Sequence, residues 1–270
     1  MKRNPRTLIM ILAALTGLSA AAAQAGTRHY GNRWRDAVEG SGEITVEARN
    51  LDSFDRVKNF GPFDLYISQG SDQDVVIRFD DNLIEFVETK VKGHTLHVST
   101  DESFVSDHTC RIEITLPELE SISSHGSGDI YIDRLKAESF DLKVSGSGDI
   151  TVDELTVADL TYDVNGSGDC ELNGITARDC EIEISGSGDA ELSGSCDELR
   201  IEISGSGDID ARDLEVKDAT VAVYGSGDVS VNVSERLDAT VYGSGDISYY
   251  SDGLDKISTH VSGSGRIRKR

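Results

Sequence analysis

Gly-Ser-Gly occurs eight times from residue 126 onward at nearly constant spacing, and seven copies are followed by Asp. The first glycines are Gly126, Gly146, Gly166, Gly186, Gly205, Gly225, Gly243 and Gly263, at intervals of 20, 20, 20, 19, 20, 18 and 20 residues. A fixed period of this length marks a stacked, quasi-one-dimensional fold in which each unit touches only its neighbours.

Aligned on those glycines, apolar residues recur at fixed even offsets. Two before the Gly stand Val144, Val164, Ile184, Ile203, Val223, Val241 and Val261; four before it, Leu142, Tyr162, Ile182, Ile201 and Val221. Six before it stand Phe140, Leu160, Cys180, Leu199, Leu237 and Ile257. After the motif the alternation resumes at Ile130, Ile150, Cys170, Ala190, Ile209, Val229 and Ile247, then at Ile132, Val152, Leu172, Leu192, Ala211 and Val231. A third apolar point follows at Leu135, Leu155, Ile175 and Leu214. Period-2 alternation that stops at a turn is a strand with one buried face. No stretch here carries an apolar 3.6-residue period of helical length. The pattern predicts an all-β fold: a parallel β-helix (solenoid) of about 20-residue coils behind a less regular, β-rich N-terminal half.

The turn glycines (Gly126, Gly128, Gly146, Gly148, Gly166, Gly168, Gly186, Gly188, Gly205, Gly207, Gly225, Gly227, Gly243, Gly245) suit a corner that needs positive φ or close backbone approach. The Ser between them can hydrogen-bond along the stack. Pro is sparse, as central ladders require.

The first half lacks the strict period. Residues 26–50 form a polar N-terminal segment that contains Gly40-Ser41-Gly42-Glu43. Strands are expected near 63–67, 75–79, 95–98 and 111–116, with a helical turn at 81–86 after a capping Asp. These read as irregular coils leading into the regular ones; a small separate β domain is the alternative. Residues 251–270 form a terminal coil and a basic tail.

The run LDSFDRVKNFGPFDLYISQG, the later DVVIRFDDNLIEFVETKVKGHTLHVST and IEITLPELESISSHGSGDI, and the GSGD turns resemble the putative auto-transporter adhesin head GIN domain family of exported bacterial proteins. The resemblance covers roughly residues 50 to 250. It implies a right-handed β-helix-like fold over 51–250 and an adhesin label, with no catalytic residues to carry over. The chain departs from an auto-transporter in that no translocator barrel is expected after the repeats.

Lys2, Arg3 and Arg6 precede an apolar run, Leu8 to Leu18, that ends in Ala23-Gln24-Ala25. That is a signal peptide over 1–25, cleaved between Ala25 and Gly26; an uncleaved anchor is the alternative. An exported protein, periplasmic or secreted, is expected, with no membrane span after signal removal. Cleavage removes three basic residues and no acidic one, moving the formal charge from −23 to −26. Such an acidic surface argues against nucleic acid as a partner. Export permits disulfides, and Cys180–Cys196 is one possible bridge; small buried hydrophobes are the alternative reading.

Stacked in register, Asp129, Asp149, Asp169, Asp189, Asp208, Asp228 and Asp246 form a column of carboxylates. Unit charges about 4.8 Å apart repel by roughly 1 kcal/mol in water and several-fold more at an effective dielectric near 20. Either each Asp accepts backbone N–H groups within its own turn, or Ca²⁺ lies between turns. Arg266 in the eighth position ends the column. No other cofactor is expected. The residues preceding each GSG point outward, and Tyr224 and Tyr242 are neighbours there. Stacked exposed tyrosines can bind a sugar ring or a protein partner, or can simply stabilise the stack. His94 and His97, three apart on one strand, face opposite ways and make a poor metal pair.

These features predict a non-catalytic, exported β-helical protein acting by adhesion or cell-envelope interaction, with an envelope, glycan or protein partner. A calcium-stabilised structural module and a carbohydrate-active β-helix enzyme are the alternatives. Catalysis would need a charged cluster breaking the repeat in a groove, and no nucleophile–base pair stands out.

Overall fold

The computed structural model describes residues 37–270. The signal peptide expected over 1–25 and its expected Ala25–Gly26 cleavage lie outside the described residues. Nineteen strands join in one continuous sheet, and Val38–Glu39 pairs with Phe104–Val105 in a second, two-stranded one. No helix among the described residues is long and apolar enough to cross a membrane.

From residue 121 onward the chain is a β-solenoid of stacked coils. Each strand pairs in parallel with the strand one coil later: Ile130–Lys136 with Ile150–Thr156, Ser139–Val144 with Asp159–Val164, and Cys170–Ile184 with Ala190–Ile203. The period of the sequence therefore becomes the register of the sheet, so like residues stack on like. Ile150, Cys170, Ala190, Ile209, Val229 and Ile247 form one such column, buried throughout. Burial breaks its alternation at 153–154, at 158–159 and at the Gly-Ser-Gly turn. Each coil is thus three short inward-facing runs joined by three corners. Gly174 (φ 56°) and Gly194 (φ 122°) sit at the first of those corners, where the ladder shifts register.

The apolar columns read from sequence form the core, with two departures. Ile257 and Val261 remain 46% and 43% exposed, because Lys256–Val261 pairs only with the coil beneath it. Tyr162 is wholly buried, and its hydroxyl makes no hydrogen bond.

The turn glycines are explained by close approach alone. None of those in the repeated turns from Gly126 onward has a positive φ, whereas Gly42 of the early Gly40-Ser41-Gly42 does (81°). A Cβ on Gly146 would lie 1.9 Å from the carbonyl oxygen of Gly126, and one on Gly148 would lie 2.1 Å from that of Gly128. The same collision recurs up the stack. The Ser backbone N–H makes the bond along the column, as in Ser167 to the Gly146 carbonyl at 3.0 Å.

The expected strands of the first half are present at Phe63–Gln69, Asp74–Asp80, Thr95–Ser99 and Cys110–Leu116. A 3-10 turn spans Ile84–Phe86, although its N-cap is Leu83 and no Asp side chain caps it. His94 lies in the hairpin turn before Thr95–Ser99, at φ 63°, rather than on the strand with His97. The stacking order differs from chain order. Arg56–Asn59 and Phe63–Gln69 lie directly beneath Ser121–Ser124 and Ile130–Lys136. The later strands Thr95–Ser99 and Cys110–Leu116 lie beneath them in turn. Antiparallel strands close this end: Glu88–Lys92 on Thr95–Ser99, Asp74–Asp80 on Cys110–Leu116, and Ile44–Ala48 on Asp74–Asp80. The polar N-terminal segment is therefore partly built into the closing layers. Asp80, fully buried, accepts hydrogen bonds from the Gly42 N–H (2.6 Å) and the Ser106 hydroxyl (2.5 Å). The Ser106 bond is the main reason its carboxyl is held below the usual range.

All four cysteines are buried with free thiols, and contact with the Cys196 thiol, followed by burial, pushes the Cys180 thiol up. Cys196 lies opposite Ala177 in the ladder and donates from Sγ to the Glu198 carbonyl at 2.9 Å. Burial pushes the Cys110 and Cys170 thiols up to about 12, which leaves them protonated and inert. The reading as small hydrophobes is the one the core supports.

Candidate functional site

The aspartates stack as the period requires, but they bond between coils rather than within one turn. The backbone N–H of Asp149 donates to Oδ1 of Asp129 at 2.9 Å, and Asp169 to Asp149 likewise. Asp189, Asp208, Asp228 and Asp246 repeat the contact at 2.8, 2.7, 2.7 and 2.6 Å. Each carboxylate thus holds the next coil's turn in place. The in-turn role expected from sequence is replaced by this inter-coil one: the parallel register sets each Asp N–H against the Asp of the preceding coil.

The column has one more member than the repeat shows. Asp64 Oδ1 accepts the Asp129 N–H at 3.0 Å, so Gly61-Pro62-Phe63-Asp64 is a degenerate copy of Gly-Ser-Gly-Asp. Phe63 replaces the second glycine, and buried Asn59 ties the turn through its Nδ2 to the Phe63 carbonyl at 2.7 Å. Burial raises the Asp64 carboxyl above its ordinary range, opposed by the Asp129 N–H. At the other end Arg268, not Arg266, donates to Asp246 Oδ2 at 2.8 Å. Each carboxylate from Asp64 to Asp228 thus accepts an N–H of the next coil and Asp246 accepts a guanidinium, donors of the kind that stabilise a carboxylate. Among the described residues no group of three or more His, Cys, Asp or Glu is arranged to hold a metal ion.

Three aromatic stacks stand on the outer surface of the described residues, one of them Phe60, 46% exposed, between His97 at 5.8 Å and His125 at 4.9 Å. Tyr224 and Tyr242, each 49% exposed, stack with ring centroids 5.2 Å apart and planes within 4°. His260 continues the column, tilted, 5.7 Å from Tyr242.

The third stack was not read from sequence. Tyr66 and Tyr131 stack at 4.9 Å, and the Arg111 guanidinium lies 3.6 Å from the Tyr66 ring centre. Arg111 and Arg78 both donate to Glu113 Oε1, at 3.0 and 3.2 Å. Burial, followed by the nearby Asp129 charge, raises the Tyr131 phenol. A groove of about 480 Å³ opens beside these rings, lined by Tyr66, Arg111, Tyr131, Asp133, Thr151 and Asp153 among others. Aligning Phe63-Asp64-Leu65-Tyr66 with Gly128-Asp129-Ile130-Tyr131 places both tyrosines at one offset from the column Asp. That signal was hidden by the loss of Gly-Ser-Gly at 61–63.

The family model described as putative auto-transporter adhesin, head GIN domain, matches residues 53–178 and 175–253. A solved structure of a putative lipid binding protein from Parabacteroides distasonis is 25% identical, with a TM-score of 0.81, covering 87% of this chain and 100% of that one. A putative adhesin from Parabacteroides merdae is 23% identical, with a TM-score of 0.80, covering 87% and 99%. Another from Bacteroides fragilis is 24% identical, with a TM-score of 0.68, covering 87% and 100%. No curated protein matches the sequence.

Proposed function

The chain belongs to the putative auto-transporter adhesin, head GIN domain family, and from that premise we propose that it is an exported, non-catalytic protein acting in adhesion or cell-envelope contact through its outer surface. The observation that carries this reading is the exposed Tyr224–Tyr242–His260 column. Two stacked, half-exposed tyrosines present amphipathic rings, the chemistry enriched where one protein surface meets another or a sugar. Around them the outward columns are mostly Ser, Thr, Asp and Glu, and the interior is filled by the apolar columns. Recognition therefore belongs to the surface, with an envelope, glycan or protein partner.

The test is retention of the tagged full chain on bacterial envelope fractions. Tyr224→Ala with Tyr242→Ala should lower retention at least about fivefold with the fold intact by circular dichroism. Retention equal to that of the unaltered chain overturns the role of this column.

A further inference from the structure

We propose that the groove beside Tyr131 binds a guanidinium or ammonium side chain presented by a basic segment of a partner polypeptide. This rests on the reading of the chain as a surface-binding protein and adds a second contact site, in the other half of the stack.

The argument starts from the ladder Arg111–Tyr66–Tyr131. Tyr131 covers one face of Tyr66 at 4.9 Å, and the Arg111 guanidinium 3.6 Å from the Tyr66 ring centre occupies the other. One aromatic face of the stack is left, that of Tyr131 toward the next coil. The register partner of Tyr131 in that coil is Thr151, a short side chain where a third flat group would fit. The groove lies at this place. Tyr131 is 38% exposed, so its ring is reachable.

The covered end of the ladder shows which chemistry suits the open end. There a guanidinium lies on a tyrosine face while its Nε donates to a carboxylate, Glu113, at 3.0 Å. At the open end the groove offers a tyrosine face with two carboxylates, Asp133 and Asp153, on its wall. Neither makes an ion pair among the described residues, and the neighbouring Arg134 is committed to Glu154 at 2.7 Å. The next residue in the Thr151 column is Glu171, a further carboxylate. A ring face bordered by unpaired carboxylates attracts a cation both through the ring quadrupole and through charge. A formal charge of −23 draws basic segments toward the whole molecule, and the ladder fixes where one side chain docks. A neutral sugar would use the ring face but would gain little from the carboxylate charge.

The test titrates the full chain with acetyl-Gly-Arg-Gly-Arg-Gly-amide by calorimetry at low salt. The controls are the same peptide with citrulline for arginine and a neutral linear oligosaccharide. The arginine peptide should bind, and Tyr131→Ala should weaken it roughly tenfold. Tyr131→Phe, which keeps the ring face and the fold, should bind like the unaltered chain. Asp133→Asn with Asp153→Asn should weaken binding by a similar factor, and Tyr224→Ala should not change it. Equal affinity of the unaltered chain and Tyr131→Ala would overturn the proposal, since binding would then follow bulk charge. So would citrulline binding as well as arginine, or the oligosaccharide binding through Tyr131 in the peptide's place. Loss of peptide binding with envelope retention intact sinks this site alone; the converse sinks only the Tyr224–Tyr242 reading.

Discussion

At the scale of single residues the aspartate column separates two roles that one carboxylate can play. Oδ1 accepts the N–H of the next coil, while its charge repels the carboxylates on either side. Asn keeps the acceptor and drops the charge; Ala drops both. Asp169→Ala, which leaves the Asp189 N–H without its 2.8 Å partner, should therefore cost about 1–2 kcal/mol. Asp169→Asn should stay within about 0.5 kcal/mol of the unaltered chain, because relief of repulsion offsets the weaker acceptor. Chemical denaturation of the three proteins checks the order. With the turn N–H groups already serving these oxygens, adding Ca²⁺ to protein treated with a chelator should leave the melting temperature unchanged. An upward shift that Asp169→Asn reduces would show that the column binds the ion after all.

At the scale of the coil, the unit is defined by register rather than by any single turn. Residues 170–189 run from one post-turn position to the next, and Ile150↔Cys170↔Ala190 are equivalent in the ladder. Excising 170–189 joins Asp169 to Ala190 and sets Ala190 on Ile150, with every inward position still inward. That variant should fold with the same far-ultraviolet spectrum and a modestly lower melting temperature, since one nearest-neighbour interface is gone. Removing 170–178 instead, an odd number of residues, turns inward positions outward and should abolish cooperative melting. Survival of both variants would contradict the register account. The coil was also the most legible level in the sequence, because the glycines mark positions where a Cβ meets backbone at about 2 Å. Their necessity is steric and leaves no alternative residue. The Gly61 turn was hidden for the opposite reason: its lower neighbour is the non-repetitive 95–116 layer, so Pro62 and Phe63 are tolerated there. The tyrosine ladder with Arg111 went unread because Arg111 enters from a strand that follows Tyr66 in the chain but lies beneath it in the stack.

For the whole molecule, the main electrostatic fact is the excess of carboxylates spread along a narrow stack. Its ion pairs are exposed, such as Lys217–Asp197 at 2.6 Å and Arg134–Glu154 at 2.7 Å, and such pairs contribute little each. Net repulsion is expected to outweigh them. Raising ionic strength from about 0.01 M to about 1 M shortens the screening length from roughly 30 Å to 3 Å. The melting temperature should rise over that range with sodium chloride; a fall would mean that the pairs, not the repulsion, dominate. Stacking order is a whole-molecule property that alternation does not encode. A period-2 pattern says which side chains are buried, and nothing about which strand lies next.

That inverted order at the N-terminal end has a consequence for how the molecule is assembled. Phe63–Gln69 is flanked below by Cys110–Leu116 and above by Ile130–Lys136, so its layer is sandwiched by later parts of the chain. The foundation is therefore complete only once some eighty residues, from 56 to 136, are present together. Everything after that is repetition: each new coil finds a finished edge, adds about 20 residues and exposes an equivalent edge for the next. The long-range pairings are thus concentrated at the N-terminal end, where Phe63 meets Cys110 and Leu65 meets Ile130, while from Ile130 onward each residue meets one about 20 positions away.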